Sequence, residues 1–363
     1  MSTYIQVVQH LKPGGIETMA LDLCRMHKQG ETGYVVSLEG RRDEALANWP
    51  KLQPYAERII FLDKKPGWQP SIIKRLVDLM NFFAISSVHT HHIGPLLYAG
   101  IAARFAGIRN VIHTEHDAWH LQDDKRCRLQ RWVLRLVKPA LVADAKLVAR
   151  DMSARLGLAD GRVHVIQNGI NTDRFRLGSK SQARAQLQLP ANTLLVGSAG
   201  RLELEKGHAV LVEALASMNP AVHLAIAGDG SQAKALKAQC RALGVEKRVH
   251  FLGSIDQMPA FYQALDVFCL PSFNEGLSLV LLEAQACGVP AVVTDVGASH
   301  EALCPATGRL VAAGAPKQLA DSLTATLAST EQSCPRQFVR VAGDGKVMAT
   351  RYATLRNSYA AVA

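Results

Sequence analysis

Strand-like and helix-like segments alternate along this chain of 363 residues, and the alternation runs twice. Short apolar runs alternate with segments of helical period through the first half, and the pattern restarts after about residue 176. Parallel strands need crossover connections, usually helices, so the alternation predicts an α/β protein with parallel sheets flanked by helices. A chain of this length is expected to form two domains, each with its own core.

Each predicted element follows from a short apolar run or from apolar residues at helical spacing. In the first half, strands are predicted at Tyr4–Val8, Gly33–Leu38, Arg58–Leu62, Ser87–Thr90 and Asn110–Thr114, with helices over Ile16–Lys28 and Ser71–Phe83. In the second half, strands are predicted at Leu194–Gly197, Val222–Ala227, Val249–Leu252, Val267–Leu270 and Ala291–Thr294, with helices over His208–Met218 and Ser231–Leu243 and from near Leu277. The polar segment Arg174–Pro190 is predicted to be the linker and the entry to the second domain.

Composition excludes several classes of protein. Hydrophobic residues make up 48% and charged residues 20%, which is typical of a globular domain. No run of 18 apolar residues occurs, so no transmembrane helix is expected, and Met1–Gln9 resembles a first strand more than a signal peptide. The seven cysteines are scattered singly, which disfavours a disulfide framework or a structural zinc site and favours free, mostly buried thiols.

The net charge of +10 falls mostly in the first half of the chain. A basic domain attracts an anionic partner. Nucleic acid, a phospholipid surface and a phosphorylated substrate all satisfy that requirement, so charge alone leaves the three open.

Glycines and cations stand at the predicted ends of strands. Gly14 and Gly15 separate the first strand from a helix, where glycine lets a ligand approach the backbone and the helix N-terminus favours anions. The segment does not match GxGxxG, and a plain tight turn is the alternative. Arg201 and Lys206 follow the strand at Leu194–Gly197, where two cations can clamp a diphosphate. The alternative is a solvated loop paired with its own glutamates, Glu203 and Glu205.

Two glutamates flank the start of an apolar helix after the strand Val267–Leu270. The amides of the helix's first turn can bind phosphate. Glu275 precedes the helix and Glu283 lies eight residues later, roughly 12 Å along a helix axis. That spacing suits the two ends of one elongated ligand better than a close acid–base pair. A buried ion pair for Glu283 and a helix cap for Glu275 are the alternatives.

Six histidines cluster after two predicted strands: His89, His91, His92, His113, His116 and His120. Histidine is a common metal ligand, but the spacing matches no metal motif. A histidine at the carboxyl end of a strand, directed at a substrate, is the favoured interpretation.

In their order and spacing, these motifs resemble those of the family 4 glycosyltransferases with the GT-B fold. The resemblance covers nearly the whole chain. It rests on Gly14-Gly15-Ile16-Glu17, Thr114-Glu115-His116-Asp117, Asn168-Gly169-Ile170-Asn171-Thr172 with Phe175, Gly200-Arg201-Leu202 with Lys206-Gly207, Ala227-Gly228-Asp229-Gly230, Glu275 to Glu283, Gly288-Val289-Pro290 and Asp295-Val296-Gly297.

The resemblance implies retaining transfer from a UDP- or GDP-sugar without a bound metal or other cofactor. Matched by position, Arg201 and Lys206 would neutralise the donor diphosphate, Glu275 would hold the sugar hydroxyls, and Glu283 would hold the ribose. The amides of Gly276, Leu277, Ser278 and Leu279 would bind the distal phosphate. His116 would orient the sugar, and Gly14 and Gly15 would let the first domain approach the diphosphate. The leaving phosphate itself would take the acceptor's proton.

The resemblance also implies two Rossmann-like domains whose parallel sheets face each other across a cleft. Residues 1–173, completed by a C-terminal helix at about 348–363, would bind the acceptor, and residues 174–347 would bind the donor. The helix is predicted over Thr350–Tyr359. The acceptor is expected to be a saccharide or a lipid-linked saccharide, in polysaccharide or glycolipid synthesis, and the location cytoplasmic or peripheral at the inner face of the membrane.

The segment 125–138 is predicted to be a basic helix. Its Lys and Arg residues, with Trp132 and Leu136, suit an interfacial helix near anionic lipid. The alternative is an ordinary surface helix packed by Leu129, Val133 and Leu136.

Three other functions compete with glycosyl transfer. A nucleotide-dependent oxidoreductase predicts GxGxxG with an acid about 20 residues later, and neither half contains it. A sugar-nucleotide epimerase on the same fold stays open, although the paired glutamates favour transfer. A nucleic-acid binder would explain the basic half but not the charged residues at strand ends, and no set of stacking aromatics accompanies the charge.

Overall fold

The computed structural model describes residues 2–26, 30–329 and 334–361. The chain divides into two compact units, Met1–Gly169 with Gly345–Ala363, and Ile170–Asp344. The sequence-based division after residue 173 lies a few residues beyond this one.

The first unit contains a sheet of seven parallel strands in the order β3-β2-β1-β4-β5-β6-β7. The strands are β1 (Ser2–Val8), β2 (Glu31–Ser37), β3 (Ile59–Phe61), β4 (Ile85–His91), β5 (Val111–Glu115), β6 (Ala140–Ala143) and β7 (Val163–Val165). Strand order runs one way from β1 and the other way from β4. The loops that follow these two neighbouring strands therefore diverge, which opens a crevice at the carboxyl edge of the sheet.

Helices cover this sheet. They are α1 (Gly15–Arg25), α2 (Arg42–Asn48), α3 (Ser71–Phe82), α4 (Ile93–Pro95), α5 (Ile101–Phe105), α6 (Asp124–Val137) and α7 (Lys146–Leu156), with a π-helical turn at Leu96–Gly100 and 3-10 helices at Pro50–Arg58 and Trp119–Gln122. Helix α3 shows why such segments are helical: Ile72, Leu76 and Met80 recur every four residues and are all buried. This spacing places them on one face, against the sheet.

The second unit contains six parallel strands in the order β10-β9-β8-β11-β12-β13. The strands are β8 (Leu194–Ala199), β9 (Val222–Ala227), β10 (Val249–Gly253), β11 (Val267–Leu270), β12 (Ala291–Thr294) and β13 (Arg309–Val311). The helices are α8 (Lys180–Gln186), α9 (His208–Ser217), α10 (Ala233–Ala242), α11 (Met258–Gln263), α12 (Leu279–Ala286), α13 (Pro316–Leu327) and α14 (Pro335–Ala342), with 3-10 helices at Leu204–Lys206, Glu246–Arg248 and Ser299–Ala302. Here the strand order reverses between β8 and β11.

The last helix, α15 (Gly345–Ala361), belongs to the first unit although it follows the second in sequence. Tyr352 is fully buried, and its hydroxyl lies 3.0 Å from Oγ1 of Thr114. The guanidinium of Arg356 donates to Glu31 at 2.9 Å and stacks 4.2 Å above the ring of Tyr4. These contacts attach α15 to the central strands.

The predicted strands and helices are confirmed, with ends that shift by a few residues; Lys28, the predicted end of the first helix, lies outside the described residues. The segment Arg174–Pro190, predicted to be the linker and the entry to the second domain, lies at the start of the second unit and contains α8, which was not predicted. Ser179 caps this helix, its side chain accepting from the amide of Gln182, and Arg184 is buried. The helix predicted near Leu277 begins at Leu279.

None of the seven cysteines, all of which lie in the described residues, forms a disulfide, and six of them are buried. Among the described residues, no helix is long and apolar enough to cross a membrane.

Candidate active site

Glycines let the loops at the carboxyl edge of the second sheet pack backbone against backbone. A Cβ atom on Gly228, after β9, would overlap the carbonyl oxygen of Gly200, after β8. Likewise, a Cβ on Gly207 would overlap the carbonyl oxygen of Pro271, after β11. Both Gly228 and Gly207 also have positive φ, at +142° and +64°, which L side chains rarely adopt. These loops therefore need glycine to converge on one place.

Lys206 and Glu275 meet at this convergence, although 69 residues separate them in sequence. The Nζ of Lys206 donates to Oε1 of Glu275 at 2.8 Å, and the hydroxyl of Ser272 donates to the same oxygen at 2.6 Å. The lysine side chain is 21% exposed and the glutamate 8%. A cation and a carboxylate are thus held side by side at the end of β11, partly screened from water. Ser272 is a contact that the sequence reasoning missed.

Arg201 lies in the same loop as Lys206 but in a different environment. Its side chain is 66% exposed and pairs with Glu205 at 3.1 Å. The loop salt bridge that the sequence left open is therefore present for Glu205, whereas Glu203 accepts from the amide and hydroxyl of Ser231 at 3.0 and 2.6 Å. An exposed ion pair stabilises a protein by at most about 1 kcal/mol, so Arg201 can exchange it for a phosphate at little cost.

Glu283 lies within α12, one turn beyond its start. The hydroxyl of the buried Tyr262 donates to its Oε2 at 2.7 Å. Burial, followed by the charge of Glu283 and this hydrogen bond, raises the pKa of Tyr262 well above its usual range, so the phenol stays a donor. This hydrogen bond gives the carboxylate of Glu283 a neutral donor. The predicted phosphate-binding residues Gly276, Leu277 and Ser278 form the turn into α12, and Leu279 is its first residue.

In the first unit, Gly14 and Gly15 stand at the start of α1. Gly14 is the N-cap residue in extended conformation, and Gly15 is the first helical residue. A Cβ on Gly14 would overlap the carboxylate of Glu17, which turns back over the helix start. Glu17 is buried, which raises its pKa, and lies 3.2 Å from the ring of His10. A side chain at Gly14 would displace the end of the Glu17 side chain, and the predicted closeness of Gly14 and Gly15 to a ligand stays a prediction.

His116 lies in a chain of buried hydrogen bonds at the ends of the central strands. Its Nδ1 lies 3.1 Å from Oδ2 of Asp144, and its Nε2 lies 3.1 Å from Nδ1 of His91. Asn168 donates to the same Asp144 oxygen at 2.8 Å, and His91 reaches Gln6 at 2.8 Å. His116 is 5% exposed and has partners at both ring nitrogens. To orient a sugar, as the family resemblance implies, it would have to exchange one of them.

A second cluster surrounds the fully buried carboxylate of Glu115. It lies 3.0 Å from Nε2 of His113 and 3.2 Å from Nδ1 of His92, and Gln130 donates to it at 2.6 Å. Burial alone would raise the pKa of Glu115, but His113 and His92 hold it well below its usual range. The sequence placed these histidines at strand ends without indicating that they share a carboxylate. Within the described ranges, no set of three His, Cys, Asp or Glu side chains is arranged to hold a metal ion.

Two families of known proteins together match most of the chain. Residues 13–174 match Glycosyltransferase Family 4, and residues 179–337 match Glycosyl transferases group 1. These segments correspond to most of the first and most of the second unit.

Sequence relatives are glycosyltransferases. The chain is 27% identical over 310 residues to the putative glycosyltransferase EpsF of Bacillus subtilis, covering 80% of this chain and 78% of that protein. It is 31% identical over 262 residues to D-inositol 3-phosphate glycosyltransferase of Corynebacterium aurimucosum, covering 68% of this chain and 58% of that protein. The chain thus spans less than two thirds of the inositol enzyme.

Solved structures share the fold. Anabaena Alr3699/HepE, crystallised with UDP, has a TM-score of 0.85 at 22% identity, covering 99% of this chain and all of that one. Sucrose-phosphate synthase from Thermosynechococcus elongatus has a TM-score of 0.81 at 21% identity, with full coverage of both chains. With two parallel α/β units, the matches to both families and these relatives, the chain belongs to the family 4 glycosyltransferases of the GT-B fold.

Proposed function

We propose that this glycosyltransferase moves a sugar, with retention of configuration, from a UDP- or GDP-sugar to a saccharide or lipid-linked saccharide. The observation that carries the proposal is the pairing of Lys206 with Glu275 at the end of β11, beside the start of α12. The HepE structures are complexes with UDP and UDP-glucose, which favours a uridine nucleotide here.

The donor site is assembled from groups of the second unit. Lys206 and the exposed Arg201 neutralise the diphosphate, and the amides at the start of α12 bind its distal phosphate. Glu275 accepts hydrogen bonds from the sugar hydroxyls, and Glu283 accepts them from the ribose. Negative charge develops on the departing phosphate in the transition state, and cations already in place stabilise it without reorganisation. The cations take the place of a metal ion in this scheme.

Purified protein tests the proposal with a panel of UDP- and GDP-sugars and saccharide acceptors. A ligand that binds the native state raises the melting temperature, so the donor is identified first by thermal shift. Transfer then releases a nucleoside diphosphate and a longer saccharide. An epimerase would instead return an isomeric nucleotide sugar with no net release, and that outcome would replace the proposal.

We also propose that α6 contacts an anionic membrane, at its inner face, where lipid-linked acceptors are found. The exposed residues Leu129, Trp132 and Leu136 recur at spacings of three and four, so they share one face. Arg128 and Arg135 are exposed beside them. Of the three residues in the alternative packing, Val133 is buried, whereas Leu129 and Leu136 are exposed.

The inner face of the helix is instead made of four buried residues: Cys127, Gln130, Val133 and Val137. An apolar strip flanked by arginine suits the headgroup region, at about 1 kcal/mol per cation near an anionic surface.

Co-sedimentation with vesicles tests the membrane contact. The wild type is expected to bind phosphatidylserine-containing vesicles better than neutral ones, and less well at high salt. Replacing Arg128, Arg131 and Arg135 by Gln should abolish the difference. The matched control replaces Lys234, Lys237 and Arg241 of α10 by Gln, which removes the same charge from exposed positions of the other unit. An equal loss of vesicle binding in both variants would contradict a role of α6. So would a wild type that binds anionic and neutral vesicles equally well.

A further inference from the structure

An exposed tryptophan stands at the carboxyl edge of the first sheet. Trp68 lies in the loop between β3 and α3 and is 55% exposed. Single exposed apolar side chains are common on protein surfaces and need no ligand to explain them. The surroundings of Trp68 are unusual, however, because they hold its ring in place and set polar groups beside it.

Tyr98 fixes the loop that carries Trp68. Tyr98 is buried and belongs to the π-helical turn Leu96–Gly100 after β4, a type of turn that is frequent at functional sites. Its hydroxyl accepts from the amide of Gln69 at 3.0 Å and donates to the carbonyl oxygen of Gly67 at 3.3 Å. The rings of Tyr98 and Trp68 stack, with 5.0 Å between their centroids and 29° between their planes. The exposed indole is therefore a preorganised platform.

The loop after β2 contributes a carboxylate that is held by only one of its oxygens. Oε1 of Glu39 accepts from Nζ of Lys64 at 3.2 Å and from the amide of Gln9 at 2.5 Å. Gln9 fits there because residue 94 is glycine, since a Cβ on Gly94 would overlap its Oε1. Within the described ranges, Oε2 of Glu39 has no hydrogen bond, and the side chain is 35% exposed. This oxygen can accept from the hydroxyl of a ligand.

Lys64 connects the carboxylate with the platform. Successive contacts of 5.0, 5.6 and 3.2 Å join the ring of Trp68 to Tyr98, Tyr98 to Nζ of Lys64, and Lys64 to Glu39. The backbone also ties the two loops together, because the amide of Lys64 donates to the carbonyl oxygen of Leu38 at 2.8 Å. The indole and the carboxylate thus lie within the span of a short oligosaccharide.

The charges of these loops favour a neutral ligand. Both lysines after β3 are paired, Lys64 with Glu39 at 3.2 Å and Lys65 with Asp63 at 2.9 Å. A phosphate or an anionic lipid headgroup would need an unpaired cation here. A sugar ring instead has an apolar face of CH groups that packs against an indole, and hydroxyls that donate to a carboxylate.

We propose that Trp68 and Glu39 form a binding subsite for the acceptor saccharide on the first unit. The CH face of one sugar ring packs against the indole of Trp68, and a hydroxyl of the saccharide donates to Oε2 of Glu39. Tyr98 is a positioning residue that acts through Trp68. That the saccharide is the acceptor rests on the proposed function, whereas saccharide binding at this place does not.

A glycan array tests the subsite without turnover. The array carries neutral hexosides, N-acetylhexosaminides, deoxyhexosides and their disaccharides, and the wild type should bind at least one of these classes. Trp68→Ala should weaken that binding by about 10-fold or more, since stacking adds to the burial of apolar area. Trp68→Phe keeps an aromatic face and should retain part of the affinity. No binding by the wild type to any class, or unchanged binding by Trp68→Ala, would overturn the inference.

Phe105→Ala is the control for the array. Phe105 is another exposed aromatic residue of the same unit, at the end of α5 and therefore towards the amino edge of the sheet. This variant should bind saccharides as the wild type does. Glu39→Gln keeps the shape of the side chain and removes its charge, so it should weaken binding several-fold.

Tryptophan emission reports on the platform itself. The saccharide bound most tightly on the array should shift the emission of the wild type, because it covers the indole of Trp68. Trp68→Phe should lose this shift, and Trp119→Phe, which removes another exposed tryptophan of the unit, should keep it. Tyr98→Phe should raise Kd and still reach the full shift at saturation, since the platform remains but its loop is less well held. A shift that persists in Trp68→Phe would contradict the inference.

Kinetic constants separate this inference from the proposed function. In the transfer assay, Trp68→Ala should raise KM for the acceptor by about 10-fold or more and leave KM for the donor unchanged. An unchanged acceptor KM would refute the subsite and leave the transferase in place. Saccharide binding that depends on Trp68, without transfer from any nucleotide sugar, would refute the proposed function instead. Trp68→Ala should also bind anionic vesicles as the wild type does, and loss of vesicle binding with intact saccharide binding would make Trp68 a membrane contact.

Discussion

His208 provides a stability prediction with a definite sign. It is the first residue of α9 and only 3% exposed, and neither ring nitrogen has a hydrogen-bond partner within the described residues. Burial, followed by the charge of Lys206, lowers the pKa of His208 to about 4 from 6.5. The folded protein therefore keeps this ring neutral under conditions where the unfolded chain protonates it.

The sign of the pH effect follows from proton binding. Between pH 6.5 and about 4 the unfolded chain binds more protons at His208 than the folded chain, so stability falls as pH falls. One pKa unit corresponds to about 1.36 kcal/mol, which gives a loss of about 2 kcal/mol at pH 5 and about 3 kcal/mol at pH 4. Above pH 6.5 both states hold the neutral ring, and this contribution is constant.

His208→Leu removes the titration while filling the site with an apolar side chain. When the pH falls from 7 to 5, the wild type should lose about 2 kcal/mol more of its free energy of unfolding than the variant does. At about 2–4 °C per kcal/mol, this corresponds to a difference of about 4 to 8 °C in melting temperature. Circular dichroism follows the unfolding of both units. Tryptophan fluorescence reports only the first, since all four tryptophans precede residue 133. His300→Leu, exposed in the same unit, is the control. An equal difference at pH 7 and pH 5 would refute the reasoning.

Three further predictions concern the second unit. Arg184→Met should destabilise it by about 1–3 kcal/mol, because Arg184 is 4% exposed and its loss leaves three carbonyl oxygens without their donor, while Lys180 still pairs with Asp266; thermal unfolding measures this, and a change below about 1 kcal/mol would contradict it. Gly228→Ala should lower the melting temperature more than Gly244→Ala, since only the first Cβ would overlap Gly200; equal shifts would count against the loop packing. Transfer should continue in excess EDTA. Activity that is lost on chelation and restored by Mg²⁺ or Mn²⁺ would instead indicate that the reaction needs a metal ion.

Ten of the thirteen strands in the described residues were predicted, because buried parallel strands are short apolar runs, whereas β6, β7 and β13 were missed. Helix α8 was not predicted, because its buried side consists of Ala183 and Arg184. The guanidinium of Arg184 is satisfied by Asp266 and by three carbonyl oxygens contributed by other segments. A buried arginine looks like a surface residue in sequence, since only the tertiary contacts that satisfy it make its burial possible.

The candidate site was predictable as a set of strand-end residues but not as a set of pairs. Topology places Lys206 and Glu275 at one sheet edge, and the sequence order of strands already implies this. Their direct hydrogen bond depends on the glycine-mediated approach of two loops, which no local pattern reveals. The same holds for His92 and Glu115, whose contact at 3.2 Å depends on the pairing of β4 with β5 and not on residue spacing.

Turnover of donor-site variants tests the central claim most directly. In the proposed donor site, Lys206→Ala and Glu275→Ala would remove contacts with the reacting groups, so each should lower the transfer rate by on the order of 10²-fold or more while the protein stays folded. Lys234→Ala and Glu213→Ala change the same residue types at exposed positions of the same unit, and they should leave the transfer rate unchanged. Near-wild-type transfer in either donor-site variant would contradict the assignment of this strand-end pair as the catalytic centre.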